Sequence, residues 1–161
     1  MSPDLLDIEL TESMLMDNTM ETIHKTERLR AAGIHISIDD FGTGYSSMSY
    51  LRRFPISNLK IDRSFIQDIP GDLDDVAITR AIIALGNSLK INLIAEGVET
   101  QEQLEFLRNN FCTQAQGFLF SHPLSAAEAT NFLYGNLRIP KPDPFKVVDT
   151  NMMITEDFPQ T

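Results

Sequence analysis

Carboxylates and a lysine recur in short strand-like segments through the first two-thirds of this sequence. Asp39 and Asp40 are adjacent, Glu9 precedes them, and Lys60 and Glu96 follow in comparable segments. Adjacent carboxylates repel each other, and a cation bound between them offsets that repulsion. Oxygen-only ligands favour hard ions such as Mg²⁺ or Mn²⁺, and a nearby lysine can orient or deprotonate water or hold a phosphate. Two such ions would suit in-line hydrolysis of a phosphodiester.

A glycine-punctuated stretch, FGTGYSS, follows the aspartate pair directly at residues 41–47. Gly42 and Gly44 allow tight backbone turns that other residues resist. Ser46 and Ser47 could then cap a helix. Asp and Gly are also ordinary turn residues, so a plain strand-to-helix connection is the alternative explanation of this stretch.

The elements that must position these residues are strands alternating with helices. Alternating or β-branched patterns predict strands over 7–11, 34–38, 58–62, 92–95 and 115–120. Helices are predicted over 18–32 with Asn18 as N-cap and Gly33 at the end, and over 48–53, 72–89, 100–111 and 125–135. This order is βα repetition, which implies a parallel sheet with helices packed outside it.

Helix capping and core-facing stripes can also be predicted. Thr100 with Gln103 and Ser125 with Glu128 have the spacing of capping boxes. Two helices carry apolar stripes, which are Ile78, Ile82, Leu85 and Leu89 in the first and Leu104, Leu107 and Phe111 in the second.

Alternation along the strands brings the polar residues together. Successive side chains point to opposite faces, so each strand presents a polar residue opposite its aliphatic neighbours. The carboxyl ends of the strands, where catalytic residues of α/β folds lie, then collect one polar set: Glu9, Asp39, Asp40, Lys60, Asp62, Glu96 and Gln116. The fifth strand is expected to place Gln116 and Phe118 on one face.

Each of these residues also has a purely structural explanation. Glu12 and Glu99 could be surface charges at helix starts, where the helix dipole favours them. Lys60 could be a solvated strand end, and Asp62 could simply pair with it. His24, His35 and His122 are scattered and are not interpreted as metal ligands.

Composition excludes several classes of protein. The 161 residues suit one domain, and a net charge of −10 argues against binding of nucleic acid polymers. The single cysteine, Cys112, excludes an intrachain disulfide and fits a reduced, cytoplasmic setting with a buried thiol. No apolar run reaches the ~18–20 residues of a membrane span. Residues 1–138 hold the repeats, and the proline-containing segment 139–161 is expected to be an extended or disordered tail.

Five motifs resemble those of the EAL domain family, the cyclic di-GMP phosphodiesterases. They are ELTE at 9–12, DDFGTGYSS at 39–47, KID at 60–62, AEGVET at 95–100 and QGFLFSHPL at 116–124. The last is close to the family's QGYLFSKPL, with His122 in place of a common Lys. Together the motifs span most of the chain.

The resemblance implies a TIM-type (β/α) barrel that hydrolyses cyclic di-GMP to linear 5′-pGpG with two Mg²⁺ or Mn²⁺ ions. It implies that Lys60 holds the catalytic water with support from Gln116, and that Glu12 braces the loop from Phe41 through Gly42, Thr43 and Gly44 to Ser47. That loop couples substrate, metals and dimerisation in the family. The implied metal ligands are Glu9, Asp39, Asp40 and Glu96, and the implied site-shaping residues are Asp62 and Glu99.

The resemblance covers about five of the barrel's eight strands. The family's first three strands, with the EAL tripeptide and a metal-binding Asn, have no counterpart in the eight residues before Glu9. We therefore expect the C-terminal two-thirds of an EAL domain, either from a longer protein with upstream sensory or GGDEF-type domains or from a shortened reading frame. This chain alone should self-associate or be poorly stable, and should hydrolyse cyclic di-GMP weakly or not at all.

Two alternatives stay open on the sequence alone. One is a non-catalytic cyclic di-GMP-binding or regulatory module that keeps the loop and Lys60 as architecture. The other is an enolase-like barrel enzyme, which also uses carboxylates and a lysine at strand ends, although the loop sequence argues against it.

Overall fold

A computed structural model describes residues 2–16, 20–44, 51–134, 146–147 and 154–155. Its main sheet has five parallel strands in sequential order: β1 (Asp7–Thr11), β2 (His35–Phe41), β3 (Asn58–Ile61), β4 (Asn92–Ala95) and β5 (Gln114–Ala115). The helices are α1 (Glu12–Met16), α2 (Met20–Ala31), α3 (Leu73–Leu89), α4 (Gln101–Asn109) and α5 (Ala126–Leu133). The parallel sheet with flanking helices confirms the predicted partial barrel of TIM type.

Two further strands, β6 (Lys146–Val147) and β7 (Ile154–Thr155), pair antiparallel in a separate small sheet. Apart from these four residues, the segment 139–161 lies outside the described residues, so the extended or disordered tail stays a prediction. Among the helices that the structure describes, none combines the length and the apolar composition needed to cross a bilayer.

The aliphatic face of the sheet packs against the helices and forms the core. Ile38, Leu59 and Ile61 are completely buried, and Leu93 is 2% exposed. They belong to one cluster with helix residues such as Ile82. Burial of one such side chain contributes about 1.5–3 kcal/mol, so this face supplies much of the stability of the fold.

Local signals in the sequence fix the helix ends. The Asp72 side chain accepts hydrogen bonds from the Asp74 and Asp75 amides and starts α3. Both predicted capping boxes are present, at the starts of α4 and α5. Asn18, the predicted cap of α2, lies outside the described residues, as do residues 45–50, which include the first half of the helix predicted over 48–53.

The predicted apolar stripe of α3 is partly wrong. Ile82 is buried, but Ile78 is 39% exposed, and the buried face also includes Thr79, Ile83 and Gly86. Gly86 explains why the buried face of α3 is rotated away from Ile78, because a Cβ at residue 86 would lie 2.4 Å from Cδ2 of Leu93. The glycine lets the helix approach β4 on that side, and hydrophobicity alone does not reveal such a close approach.

Two predictions near β5 are also wrong. Phe111 is 66% exposed, because α4 ends at Asn109 and the chain then turns at Phe111 (φ 65°), which places Cys112 in the core instead. The fifth strand ends at Ala115 rather than residue 120, and the amide of Phe120 donates to the carbonyl of Gly117 in a turn. Phe118 is therefore half exposed and does not continue a strand face with Gln116.

Candidate metal centre

Lys60 lies at the centre of the polar face of the sheet and is only 6% exposed. Its Nζ atom is 2.7 Å from Oε1 of Glu9, 2.7 Å from Oε1 of Glu96 and 3.1 Å from Oδ1 of Asp39. These carboxylates come from β1, from the end of β4 and from β2, so strand alternation brings together the residues that it predicted. The burial of Lys60 also excludes the interpretation as a solvated strand end.

The three carboxylates keep Lys60 charged. Burial alone would favour the neutral amine, but the hydrogen bonds to Glu9 and Glu96 and the nearby negative charges raise its pKa well above the usual range. A lysine in this state donates hydrogen bonds and does not accept a proton. In the metal-free site, the position of Lys60 beside the carboxylates suits the predicted role of holding a water or phosphate.

Three carboxylates form a candidate cation site beside Lys60. Asp39, Asp40 and Glu96 each offer an oxygen atom, and these atoms lie within 4.8 Å of one another. Oδ1 of Asp39 is buried, and its neighbour in the structure is the Lys60 ammonium at 3.1 Å. Such a crowded set of carboxylate oxygens fits a hard divalent ion. Glu9 is not part of this group among the described residues, and its carboxylate is held by Lys60 instead.

Burial and neighbouring charges raise the pKa of two of these carboxyl groups, Glu96 and Asp40. Burial raises the pKa of Glu96 above its ordinary value, although Lys60 acts in the opposite direction. Desolvation and the neighbouring charges of Asp39 and Asp62 raise the pKa of Asp40. A divalent cation would reverse both effects, because it favours the charged carboxylates.

An irregularity in β2 explains how two adjacent residues serve one site. Asp39 and Asp40 would point to opposite faces of a regular strand. The register with β3 shifts between Ile38 and Phe41, and Asp40 has a φ of 54°, as in a β-bulge. The Oγ1 of Thr43 donates to the carbonyl of Asp40 at 2.9 Å, and Phe41 is buried. The bulge therefore brings the carboxylates of both Asp39 and Asp40 close to Glu96.

Glu12 fixes the start of the glycine loop. It is 3% exposed, and its Oε2 atom accepts hydrogen bonds from the amides of Gly42 (2.9 Å) and Gly44 (3.2 Å). A Cβ at residue 44 would lie 2.8 Å from Oε1 of Glu12, so a larger residue there would displace the carboxylate. Glu12 is thus not the surface charge that its place at a helix start would permit. Residues 45–47 of the loop lie outside the described part.

The other predicted site residues lie around this cluster. The Nε2 atom of Gln116 donates to Oε1 of Glu96 at 3.3 Å, so Gln116 adjoins the cluster despite the early end of β5. Asp62 accepts a hydrogen bond from the amide of Ser64 and caps a short 3₁₀ helix, and it does not pair with Lys60. Glu99 forms an exposed ion pair with Arg63 at 2.8 Å.

A pocket of about 390 Å³ opens beside Gln116, at the same end of the sheet. Its walls include Arg63, Glu99, Phe118 and His122, and the rings of the last two lie with centroids 4.2 Å apart. Neither Arg63 nor Phe118 is recognisable as a site residue from its type, because a lone surface arginine and a lone phenylalanine have ordinary structural explanations. Their shared position after strand ends is the one signal that could have identified them.

The EAL domain profile matches residues 1–123 of the chain. The cyclic di-GMP phosphodiesterase NbdA of Pseudomonas aeruginosa is 55% identical over 128 residues, which are 80% of this chain and 16% of that protein. The bifunctional diguanylate cyclase/cyclic di-GMP phosphodiesterase MucR of the same organism is 49% identical over 80% of this chain and 19% of its own length. The chain therefore spans less than a fifth of the length of these relatives.

Solved structures titled as cyclic di-GMP complexes are also similar to this chain. A structure titled PaMucR phosphodiesterase, c-di-GMP complex, matches with a TM-score of 0.76 and 49% identity, covering 80% of this chain and 52% of that one. A Klebsiella pneumoniae BlrP1 structure, titled as a manganese/cy-diGMP complex, matches with a TM-score of 0.69 and 36% identity over 76% of this chain and 31% of that one.

Proposed function

The chain belongs to the EAL domain family, and we propose that it forms part of a domain that hydrolyses cyclic di-GMP to linear 5′-pGpG with two Mg²⁺ or Mn²⁺ ions. The observation that carries this proposal is the group of Asp39, Asp40 and Glu96 beside a buried, charged Lys60. The group lies at the carboxyl ends of parallel strands, where α/β enzymes bind their substrates.

The carboxylates would act as the metal ligands. Asp39 and Asp40 lie side by side on the bulge and could serve two ions, with Glu96 on the neighbouring side. Glu9 would join them if its carboxylate exchanged Lys60 for a cation. Bound ions at such a site lower the pKa of water and stabilise charge on phosphoryl oxygens.

Lys60 and Gln116 would prepare the attacking water. The three N–H donors of Lys60 face Glu9, Asp39 and Glu96. If a cation drew Glu9 away, one donor would be free to hydrogen-bond a water or hydroxide and fix its direction. Gln116 donates to Glu96 and would hold that carboxylate in its liganding orientation.

The glycine loop and the pocket would position the substrate. Glu12 ties the amides of Gly42 and Gly44 next to the aspartate pair, so loop and metal ligands form one unit. Phe118 and the Arg63–Glu99 pair offer a half-exposed ring and paired charges that suit a base and its polar edge. Asp62 and Glu99 would shape this side of the site.

The longer relatives suggest the setting. We infer a cytoplasmic domain of a larger protein with GGDEF-type or sensory segments, because the matched relatives are several times longer and MucR combines two cyclic di-GMP activities. The loop would link the site to a homodimer contact, as expected from the family resemblance.

Turnover of cyclic di-GMP with Mn²⁺ or Mg²⁺, assayed on a longer protein that contains this chain and the rest of the domain, tests the proposal. Formation of 5′-pGpG that is abolished by chelation and by Asp39→Asn would support it. Asp4→Asn is a matched control, because Asp4 is exposed and the variant changes the net charge equally.

Binding of the nucleotide without turnover and without dependence on metal would contradict the enzymatic proposal. It would favour the non-catalytic module instead. Nucleotide binding should then survive in Asp39→Asn, since the pocket beside Gln116 does not include Asp39.

A further inference from the structure

A second polar tier lies directly below the lysine and its carboxylates. Oδ2 of Asp7 accepts hydrogen bonds from Oγ of Ser37 (2.7 Å) and from Nδ2 of Asn58 (2.9 Å). The same Nδ2 atom donates to Oγ of Ser37 at 2.9 Å, and Nδ2 of Asn92 donates to Oδ1 of Asn58 at 3.2 Å. These contacts run across four neighbouring strands, from β1 to β4.

The two tiers repeat the same pattern on the same strands. Asp7, Ser37 and Asn58 come two residues before Glu9, Asp39 and Lys60 respectively, and therefore share their face. In the upper tier, Glu9 on β1 reaches across β2 to Lys60 on β3. In the lower tier, Asp7 reaches across β2 to Asn58 in the same way. Each tier joins strands that are not hydrogen-bonded neighbours.

The lower tier has one defined direction. Because a carboxylate accepts hydrogen bonds, the NH₂ group of Asn58 faces Asp7, and that group and the Ser37 hydroxyl both donate to it. Ser37 is 1% exposed, so its hydroxyl has little access to water as a substitute partner. Side-chain hydrogen bonds that join several strands in this way resist changes in strand separation.

We propose that Asp7, Ser37 and Asn58 are positioning residues for the metal centre. They hold β1, β2 and β3 at the separation at which Glu9 meets Lys60 and Asp39 faces the cation site. The inference rests on the proposed function, because it assigns these residues to the same centre. The hydrogen bonds of these three residues do not involve the oxygen atoms of Asp39, Asp40 or Glu96.

Mn²⁺ titration of the full chain, followed by calorimetry, tests this role without any measurement of activity. Asp7→Ala and Ser37→Ala should each weaken Mn²⁺ binding about three- to tenfold, less than the loss of a group that contacts a ligand directly. The double variant should weaken it little more than either single one, because both residues act in one network.

Thr79→Val is the matched control for stability. Thr79 is fully buried and donates to the Phe65 carbonyl at 3.0 Å, outside both tiers. It should lower the melting temperature and leave the Mn²⁺ affinity unchanged. Asp7 is exposed, so Asp7→Ala should fold even if Ser37→Ala does not.

The outcomes separate the two proposals. Wild-type Mn²⁺ affinity in Asp7→Ala would overturn the positioning role alone. The same holds if Thr79→Val loses as much Mn²⁺ affinity as Asp7→Ala for an equal fall in melting temperature, because the loss would then reflect stability. A wild-type chain that binds no Mn²⁺ would overturn the proposed metal centre itself.

Discussion

The two faces of one sheet differ completely in what they do. Toward the helices, β2 and β3 present Ile38, Leu59 and Ile61, which water does not reach. On the other face the same strands present Asp39 and Lys60, which form ion pairs. One residue along a strand separates a side chain that stabilises the fold from one that can do chemistry. Substitutions on the two faces should therefore be separable by their response to metal.

The largest effect is expected for Lys60→Met. It leaves Glu9, Asp39 and Glu96 near one another without the buried ammonium, and removal of one partner of a buried ion pair costs about 3–5 kcal/mol. Mn²⁺ should recover more stability in this variant than in the wild type, because a cation replaces the lost charge. Urea unfolding with and without Mn²⁺ measures both. Equal recovery in the two proteins would contradict the account.

Ile38→Ala is the matching change on the apolar face. Ile38 is completely buried, and such a truncation costs about 2–5 kcal/mol through lost burial and a residual cavity. Its Mn²⁺ affinity, measured on the folded protein, should equal that of the wild type. A large loss of Mn²⁺ affinity would show that the two faces are not separable.

The pH dependence of metal-free stability should show a smaller effect at Glu96. Burial raises the pKa of this carboxyl above its ordinary value of 4.5, so the folded chain holds a proton that the unfolded chain has released. This stabilising contribution is complete below pH 4.5 and is lost as the pH rises through the raised pKa. The stability of wild type relative to Glu96→Gln should thus increase as the pH falls from about 7 toward 4.5. A constant difference would contradict the expected burial.

The smallest effect is expected at Cys112, in the core behind β4 and β5. Complete burial raises the pKa of its thiol to about 12, so almost no thiolate forms near pH 8. The native chain should not react with a disulfide reagent at that pH, and the unfolded chain should react readily. Rapid modification of the folded protein would indicate that this part of the core opens.

Much of the arrangement was predictable because it follows from strand alternation. The parallel order, both capping boxes and the meeting of Glu9, Asp39, Lys60 and Glu96 all result from local patterns. The lower tier at Asp7, Ser37 and Asn58 obeys the same alternation. It could therefore have been predicted by extending the comparison of strands two residues toward their N-terminal ends.

The remaining features depend on contacts that a sequence pattern does not contain. The bulge at Asp40 arises from a register shift against β3, and it alone brings two adjacent carboxylates to one face. The rotation of α3 follows from the approach of Leu93 to Gly86. The early end of β5 likewise follows from the turn at Gly117, where a Cβ would lie 2.1 Å from the carbonyl oxygen of Val98.

Mn²⁺ titration of the wild type against Asp39→Asn tests the central claim most directly, with Asp4→Asn as the control for charge. Loss of a group that hydrogen-bonds a metal ligand typically weakens metal binding about 10–100-fold, so loss of the ligand Asp39 should weaken it at least about 100-fold. The account predicts saturable binding by the wild type and by Asp4→Asn, and its loss in Asp39→Asn. Equal Mn²⁺ affinity in all three proteins would contradict a metal centre at the aspartate pair.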